Sequence, residues 1–119
     1  MTIVDNKSRY HYFNAFDEEG EIIGGAAVDV TDTMHYRYKS LCKADKTKCA
    51  EIIYVKVDKR YRGQGIAKKL LDYAEEYAKE NKAIYLQLTC STFRTSAHKL
   101  YEKCGFIKRD SDLYRKELL

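Results

Sequence analysis

A chain of 119 residues, 45% hydrophobic and 34% charged, has the length for one domain with one modest core and the composition of a globular protein. No apolar run approaches the ~18 residues of a membrane span, and the opening MTIVDNKSRYHYF has neither an apolar h-region nor a small-residue cleavage site, so a cytoplasmic protein without a membrane partner is expected. Cys42, Cys49, Cys90 and Cys104 form no CxxC pair and have no histidine at finger spacing, which points to plain thiols and no metal.

The net charge of +4 is unevenly placed, with −1 in residues 1–50 and +5 in residues 51–119. An anionic partner is therefore expected on the second half. A lysine-rich solvated surface explains the same count.

No proline, repeat, low-complexity tract or linker composition interrupts the chain, so a single domain over 1–119 is expected. RYHYFNAF (9–16) is aromatic and β-prone, DEEG (17–20) suits a turn, and EIIGGAAVDV (21–30) reads as the returning strand of a hairpin. Gly24-Gly25 within it suggests a bulge. Residues 31–50 carry little pattern: HYRYKSL (35–41) can extend a strand, and CKADKTKC (42–49) is a polar loop. EIIYVKV (51–57), rich in β-branched residues, reads as a central strand.

From 65 to 81, Ile66, Ala67, Leu70, Leu71, Ala74, Tyr77 and Ala78 fall on one helical face. AIYLQLT (83–89) is the next strand. STFRTSAHKLYEKCG (91–105) reads as a second helix with Phe93, Ala97, Leu100, Tyr101 and Cys104 inward and Gly105 at its C-terminal cap. FIKR (106–109) and DLYRKEL (112–118) look like two closing strands. The order β-β-β-α-β-α-β-β is a mixed α/β (α+β) domain with a strand–helix–strand crossover at its centre.

The crossover carries the chemistry. Between Val57 and Ile66 the chain passes from strand to helix through Arg62-Gly63-Gln64-Gly65, where two glycines allow unusual backbone angles and close approach of a ligand. No Ser, Thr, Asp or Asn stands beside them to cap the first N–H groups of the helix. Lys59, Arg60, Arg62, Lys68 and Lys69 crowd the same end, where the helix dipole disfavours cations by ~0.3–1 kcal/mol each. A bound phosphate reverses that sign. The Gly-Lys-Ser/Thr of a Walker loop is missing, and so are the third glycine and acidic ribose partner of a Rossmann fingerprint. Arg and Tyr interleave in KRYRGQG, but no RNA-binding RNP1 pattern is present, so no nucleic-acid partner is expected. A tight strand–helix turn with solvated cations remains the plain alternative.

Arg62-x-x-Gly65-x-Ala67 resembles the pyrophosphate loop of the GNAT superfamily, the acyl-CoA-dependent N-acetyltransferases. AHKLYEKCGF, Ala97 to Phe106, is similar to that family's second signature, with a strand between the two. The likeness covers about residues 51–109. It implies a GNAT-like mixed, mostly antiparallel sheet and acetyl-CoA as cosubstrate. The central strand splays from its neighbour in this family and pairs with the pantetheine arm, here around Val55, Lys56 and Val57. The N–H groups of Gly63, Gln64, Gly65, Ile66, Ala67 and Lys68 would hold the pyrophosphate, with Arg62, Lys68 and Lys69 as further contacts.

EIIYVKV is also similar to histone acetyltransferases of the family, whose general base is a Glu at the position of Glu51. A protonated amine must lose a proton before attacking a thioester, and a carboxylate can take it. Glu51 as a polar strand end is the alternative. Tyr101 falls where family members place the phenol that protonates the departing thiolate. In a chain with 11 tyrosines an inward Tyr is also a core residue.

Some features depart from the pattern. Arg94 stands where many members have Asn, and the Arg94–His98 form is familiar from small-molecule acetyltransferases, with His98 not read as a base. Members usually place one strand and two helices ahead of the hairpin, and residues 1–9 cannot supply them. The acceptor site is then open, built from residues 31–50, or completed by a second subunit in a homodimer. The expected activity is acetyl transfer from acetyl-CoA to a primary amine of a small molecule or protein. The alternatives are a non-catalytic acyl-CoA-binding or protein-interaction module and a basic nucleic-acid binder. Without ligand, the turn at Arg62–Ala67 is expected to be among the more mobile parts of the second half.

Overall fold

In the computed structural model, which describes residues 10–32, 48–90, 93–109 and 114–119, the chain forms two compact units, Met1–Thr89 and Cys90–Leu119. The first contains strands β1 (Tyr10–Phe16), β2 (Ile22–Asp32) and β3 (Lys48–Val57), a 3-10 turn (Lys59–Tyr61), helix α1 (Ile66–Glu80) and strand β4 (Ala83–Gln87). The sheet order is β1-β2-β3-β4. The first two ladders are antiparallel, and β3 pairs with β4 in parallel across the α1 crossover. The expected mixed fold with its central crossover is what forms.

Asp17 builds the hairpin between β1 and β2. Its Oδ1 accepts the N–H groups of Glu19 and Glu21, both at 2.9 Å, and its own N–H donates to the Glu21 carbonyl at 2.9 Å. Gly20 closes the turn at φ +83°, a left-handed angle that an L side chain resists.

Side-chain alternation then sorts the sheet into two faces. His11 stacks on Tyr77 with ring centroids 4.0 Å apart, and Phe13 meets Tyr73 at 5.3 Å, so this face of β1 lies under α1. Their ladder partners Val28 and Ala26 share the face, and so do Ile52 and Val55 one strand on. Leu70, Leu71, Ala74 and Ala78 of α1 are buried against it. A fully buried Leu such as Leu71 contributes roughly 1.5–3 kcal/mol.

Gly24 and Gly25 are in close approach to their neighbours. A Cβ on Gly24 would stand 2.8 Å from the Lys56 carbonyl oxygen, and one on Gly25 would stand 2.5 Å from Asn14 Oδ1. The bulge expected at the pair falls beside it: Ala15 pairs with Gly24 and Phe16 with Ile22, leaving Ile23 as the extra residue. A second bulge lies in β3, where Ala27 pairs with Tyr54 and Val28 with Ile52, so Ile53 is unmatched. Such a bulge bends its strand and increases its twist. The β3–β4 ladder ends at Glu51–Gln87, while β3 continues to Val57. Beyond Glu51, the β4-facing side of β3 has no strand partner among the described residues.

The second unit holds α2 (Thr95–Lys103). The helix is shorter than the expected 91–105, and Ser91 and Thr92 lie outside the described residues. Phe93 precedes the helix and is exposed, which corrects its expected inward place. Ala97, Leu100, Tyr101 and Cys104 are half-buried. Gly105 caps α2 as expected, at φ +90°. Its N–H reaches the Glu102 carbonyl at 3.1 Å, and the Phe106 N–H reaches that of Tyr101 at 2.9 Å. This is the Schellman arrangement, closed by a Tyr101–Phe106 ring contact at 6.1 Å.

Two expectations are corrected. Residues 106–109 and 114–118 form no strand, because no ladder partner reaches them among the described residues. Residues 112–113 of the last segment, and the HYRYKSL stretch, lie outside the described residues. Cys49, Cys90 and Cys104 are thiols, not disulfides. No described helix is long and apolar enough to cross a membrane.

Candidate functional site

The glycine loop has the geometry that its sequence suggests. Gly63 and Gly65 both adopt left-handed angles, φ +81° and +80°, and Gly65 is the N-cap of α1 with no side-chain capping bond. The first helical bond runs from the Lys69 N–H to the Gly65 carbonyl at 3.1 Å. Among the described residues, the N–H groups of Gly63, Gln64, Gly65, Ile66 and Ala67 meet no acceptor. A run of unsatisfied donors at a helix N-terminus attracts an anion through both hydrogen bonding and the dipole.

The charges around the loop are better balanced than the sequence suggests. Asp58 caps the 3-10 turn through the Arg60 N–H at 2.9 Å and chelates the Arg60 guanidinium, with Nη2 at 3.1 Å from Oδ2. These bonds hold the Asp58 carboxyl below its usual range and push Arg60 up. Lys68 bridges to Asp72 at 2.9 Å, one helical turn on. The Arg62 Nε–H donates to the Val57 carbonyl at 3.4 Å, which turns its side chain back toward the end of β3. Uncompensated crowding is thus corrected: Arg60 and Lys68 have acidic partners, whereas Lys59 and Lys69 make no ion pair among the described residues. The i,i+4 spacing of Lys68 and Asp72 makes that pair legible in the sequence.

Glu51 occupies the last rung of the β3–β4 ladder, where the strands part. Because its neighbour Ile52 faces α1, Glu51 faces the other side of the sheet. Directly across the β2–β3 ladder stands Asp29, so two half-buried carboxyl groups share a face. Sequence reading missed Asp29, since only the register brings it there. Past Glu51, Val55 and Val57 are half-buried and Lys56 is exposed, its ammonium 5.5 Å from the Tyr54 ring centroid.

Tyr101 belongs to the second unit. It lies in the last turn of α2, half-buried, and burial pushes its phenol above 10, with Cys90 adding to the rise and Arg94 opposing it. A phenol held neutral at pH 7 can donate a proton.

A loop of free donors after a strand that parts from its parallel neighbour fits the family likeness, and comparison with known proteins decides it. Residues 2–106 match the acetyltransferase (GNAT) family. The chain belongs to that family. Over 65 residues, 55% of the chain, it is 32% identical to a streptothricin acetyltransferase of Escherichia coli, and the match spans 37% of that relative's length. A transcriptional regulator from Bacillus halodurans C-125 superposes with a TM-score of 0.77 at 29% identity, over 93% of this chain and 68% of the regulator. A glucosamine-6-phosphate N-acetyltransferase from Arabidopsis thaliana shares the fold at 22% identity, TM-score 0.73, over 91% of this chain and 67% of its own. The mixed sheet, four-stranded among the described residues, with the two helices described, is therefore a GNAT fold.

Proposed function

We propose that this GNAT chain is an N-acetyltransferase, moving an acetyl group from acetyl-CoA directly to a primary amine. One observation carries the reading: a loop with five successive N–H groups that meet no acceptor among the described residues, Gly63 to Ala67, comes one 3-10 turn after a strand whose β4-facing side has no strand partner past Glu51 among the described residues. Such a stretch of backbone suits a long ligand with an amide-bearing arm and a diphosphate. Val55, Lys56 and Val57 would pair with the arm. Gly63 through Lys68 would hold the diphosphate, with Arg62 and Lys69 adding charge. We place all of these groups in a single domain over residues 1–119.

Acetyl-CoA supplies the thioester, whose C–S bond breaks as a C–N bond to the acceptor forms. Glu51 takes the proton that the acceptor ammonium must lose. Tyr101 gives its phenolic proton to the departing sulfur, and the second proton that the acceptor nitrogen sheds as the amide forms restores the phenol. Asp29 beside Glu51 makes this side of the sheet acidic, which favours a cationic acceptor.

Isothermal titration with acetyl-CoA, then thiol release across a panel of amines, tests the assignment. Saturable binding and release with at least one amine are expected. An absence of binding heat would sink it. Binding without release on any amine, peptide or polyamine would leave a non-catalytic acyl-CoA module in its place.

A further inference from the structure

Asp17 sits in a surface turn, yet one of its oxygens is engaged far along the chain. While Oδ1 fixes the hairpin through Glu19 and Glu21, Oδ2 accepts a hydrogen bond from the Tyr61 hydroxyl at 3.2 Å, 44 residues away in sequence. Tyr61 ends the 3-10 turn, its N–H on the Asp58 carbonyl at 2.8 Å, and the glycine loop begins one residue later. The Asp58 N–H ties the same turn to β2 through the Ile23 carbonyl at 2.7 Å. The approach to the loop is thus tethered to the hairpin by backbone and side chain, whereas the N–H groups of Gly63 to Ala67 meet no acceptor among the described residues and Gly63 and Gly65 take left-handed angles.

A carboxylate this close to an anion site repels the anion unless donors absorb its charge. The Glu21 and Glu19 N–H groups and the Tyr61 hydroxyl are such donors to Asp17, and its carboxyl lies below the usual range, the Glu21 N–H having the largest effect. Partial burial and the bond to Asp17 push the Tyr61 phenol up, so it stays a donor at neutral pH. A loop that presents N–H groups to a diphosphate binds tightly only when they are already aimed, because ordering it on binding lowers affinity.

We propose that the Asp17–Tyr61 hydrogen bond is a strut that holds the glycine loop in its anion-binding conformation. Both are then positioning residues for the diphosphate of acetyl-CoA, acting through the loop. The proposal rests on the function proposed above.

Tyr61→Phe keeps the ring and removes the hydroxyl. Asp17→Asn keeps an Oδ1 acceptor for the turn and weakens the strut. Calorimetry with acetyl-CoA, steady-state kinetics and thermal melts are run on both variants and on the double variant. Each single change is expected to raise Kd and KM for acetyl-CoA by about three- to ten-fold, with kcat within about two-fold, the scale of one hydrogen bond. The double variant should be no worse than the weaker-binding single, because both remove one interaction. Ligand-free amide exchange at Tyr61, whose N–H is held on the Asp58 carbonyl, should quicken. If wild type binds acetyl-CoA and the variants bind equally well, with or without a lower melting temperature, the strut is only structural and the proposal is wrong. If wild type binds no acetyl-CoA, the proposed function fails first and takes the strut with it.

Discussion

Gly65 ends the loop and starts the helix, and no side chain can replace it cheaply. A Cβ there would meet nothing within 4 Å, so the cost of Gly65→Ala is backbone strain alone at φ +80°, about 1–2 kcal/mol. Urea denaturation should show that modest loss with the fold intact, while acetyl-CoA affinity falls well beyond it. Tyr101→Phe should lower kcat by about 100-fold, the lower range for general acid catalysis, and leave acetyl-CoA affinity unchanged. A collapse in affinity would show that Tyr101 is structural. The pH dependence has a definite sign. The folded-state value of the Tyr101 phenol lies above its unfolded value of 10, so its contribution to stability is complete below pH 10 and is lost as pH rises through the folded value. Melting temperatures between pH 8 and 11 should therefore fall more steeply in wild type than in Tyr101→Phe. At this scale Gly63, Gly65, Glu51 and Tyr101 are legible as types in a pattern. Tyr61 and Asp17 are not, because 44 residues separate a pair whose only signal is spatial.

Elements were legible wherever the pattern was local. The α1 stripe from Ile66 to Ala78 has a single period and a single face, and the structure buries four of its positions. DEEG marks the hairpin because Asp17 satisfies its own turn. Strand pairing is non-local, and there the sequence misled. FIKR has β propensity but finds no partner among the described residues. β3 begins at Lys48, not at Glu51, since its early residues pair with β2 across a register that propensity cannot see. The bulge that bends β3 falls on Ile53, which carries no bulge signature. Gly24 and Gly25 proved to be close-approach residues. Gly24→Ala should therefore destabilise by about 1–3 kcal/mol through overpacking against the Lys56 carbonyl. Leu71→Ala should cost about 2–5 kcal/mol through the cavity it leaves. Denaturant midpoints check both.

The whole chain is nearly neutral in its first 50 residues and +5 in the rest. That asymmetry has a use if the ligand carries several phosphates, since solvated lysines such as Lys59 and Lys69 would attract it before any contact forms. Affinity for acetyl-CoA should then weaken between low and high salt as the Debye length shortens from ~30 to ~3 Å, which titration at several ionic strengths reads directly. We propose that the free N–H groups of the glycine loop hold the acetyl-CoA diphosphate. Hydrogen–deuterium exchange across Arg62–Ala67, with and without saturating acetyl-CoA, tests it most directly. Fast exchange without ligand and clear protection with it are predicted. Exchange there that is indifferent to acetyl-CoA would contradict the account and leave the stretch a plain strand–helix turn.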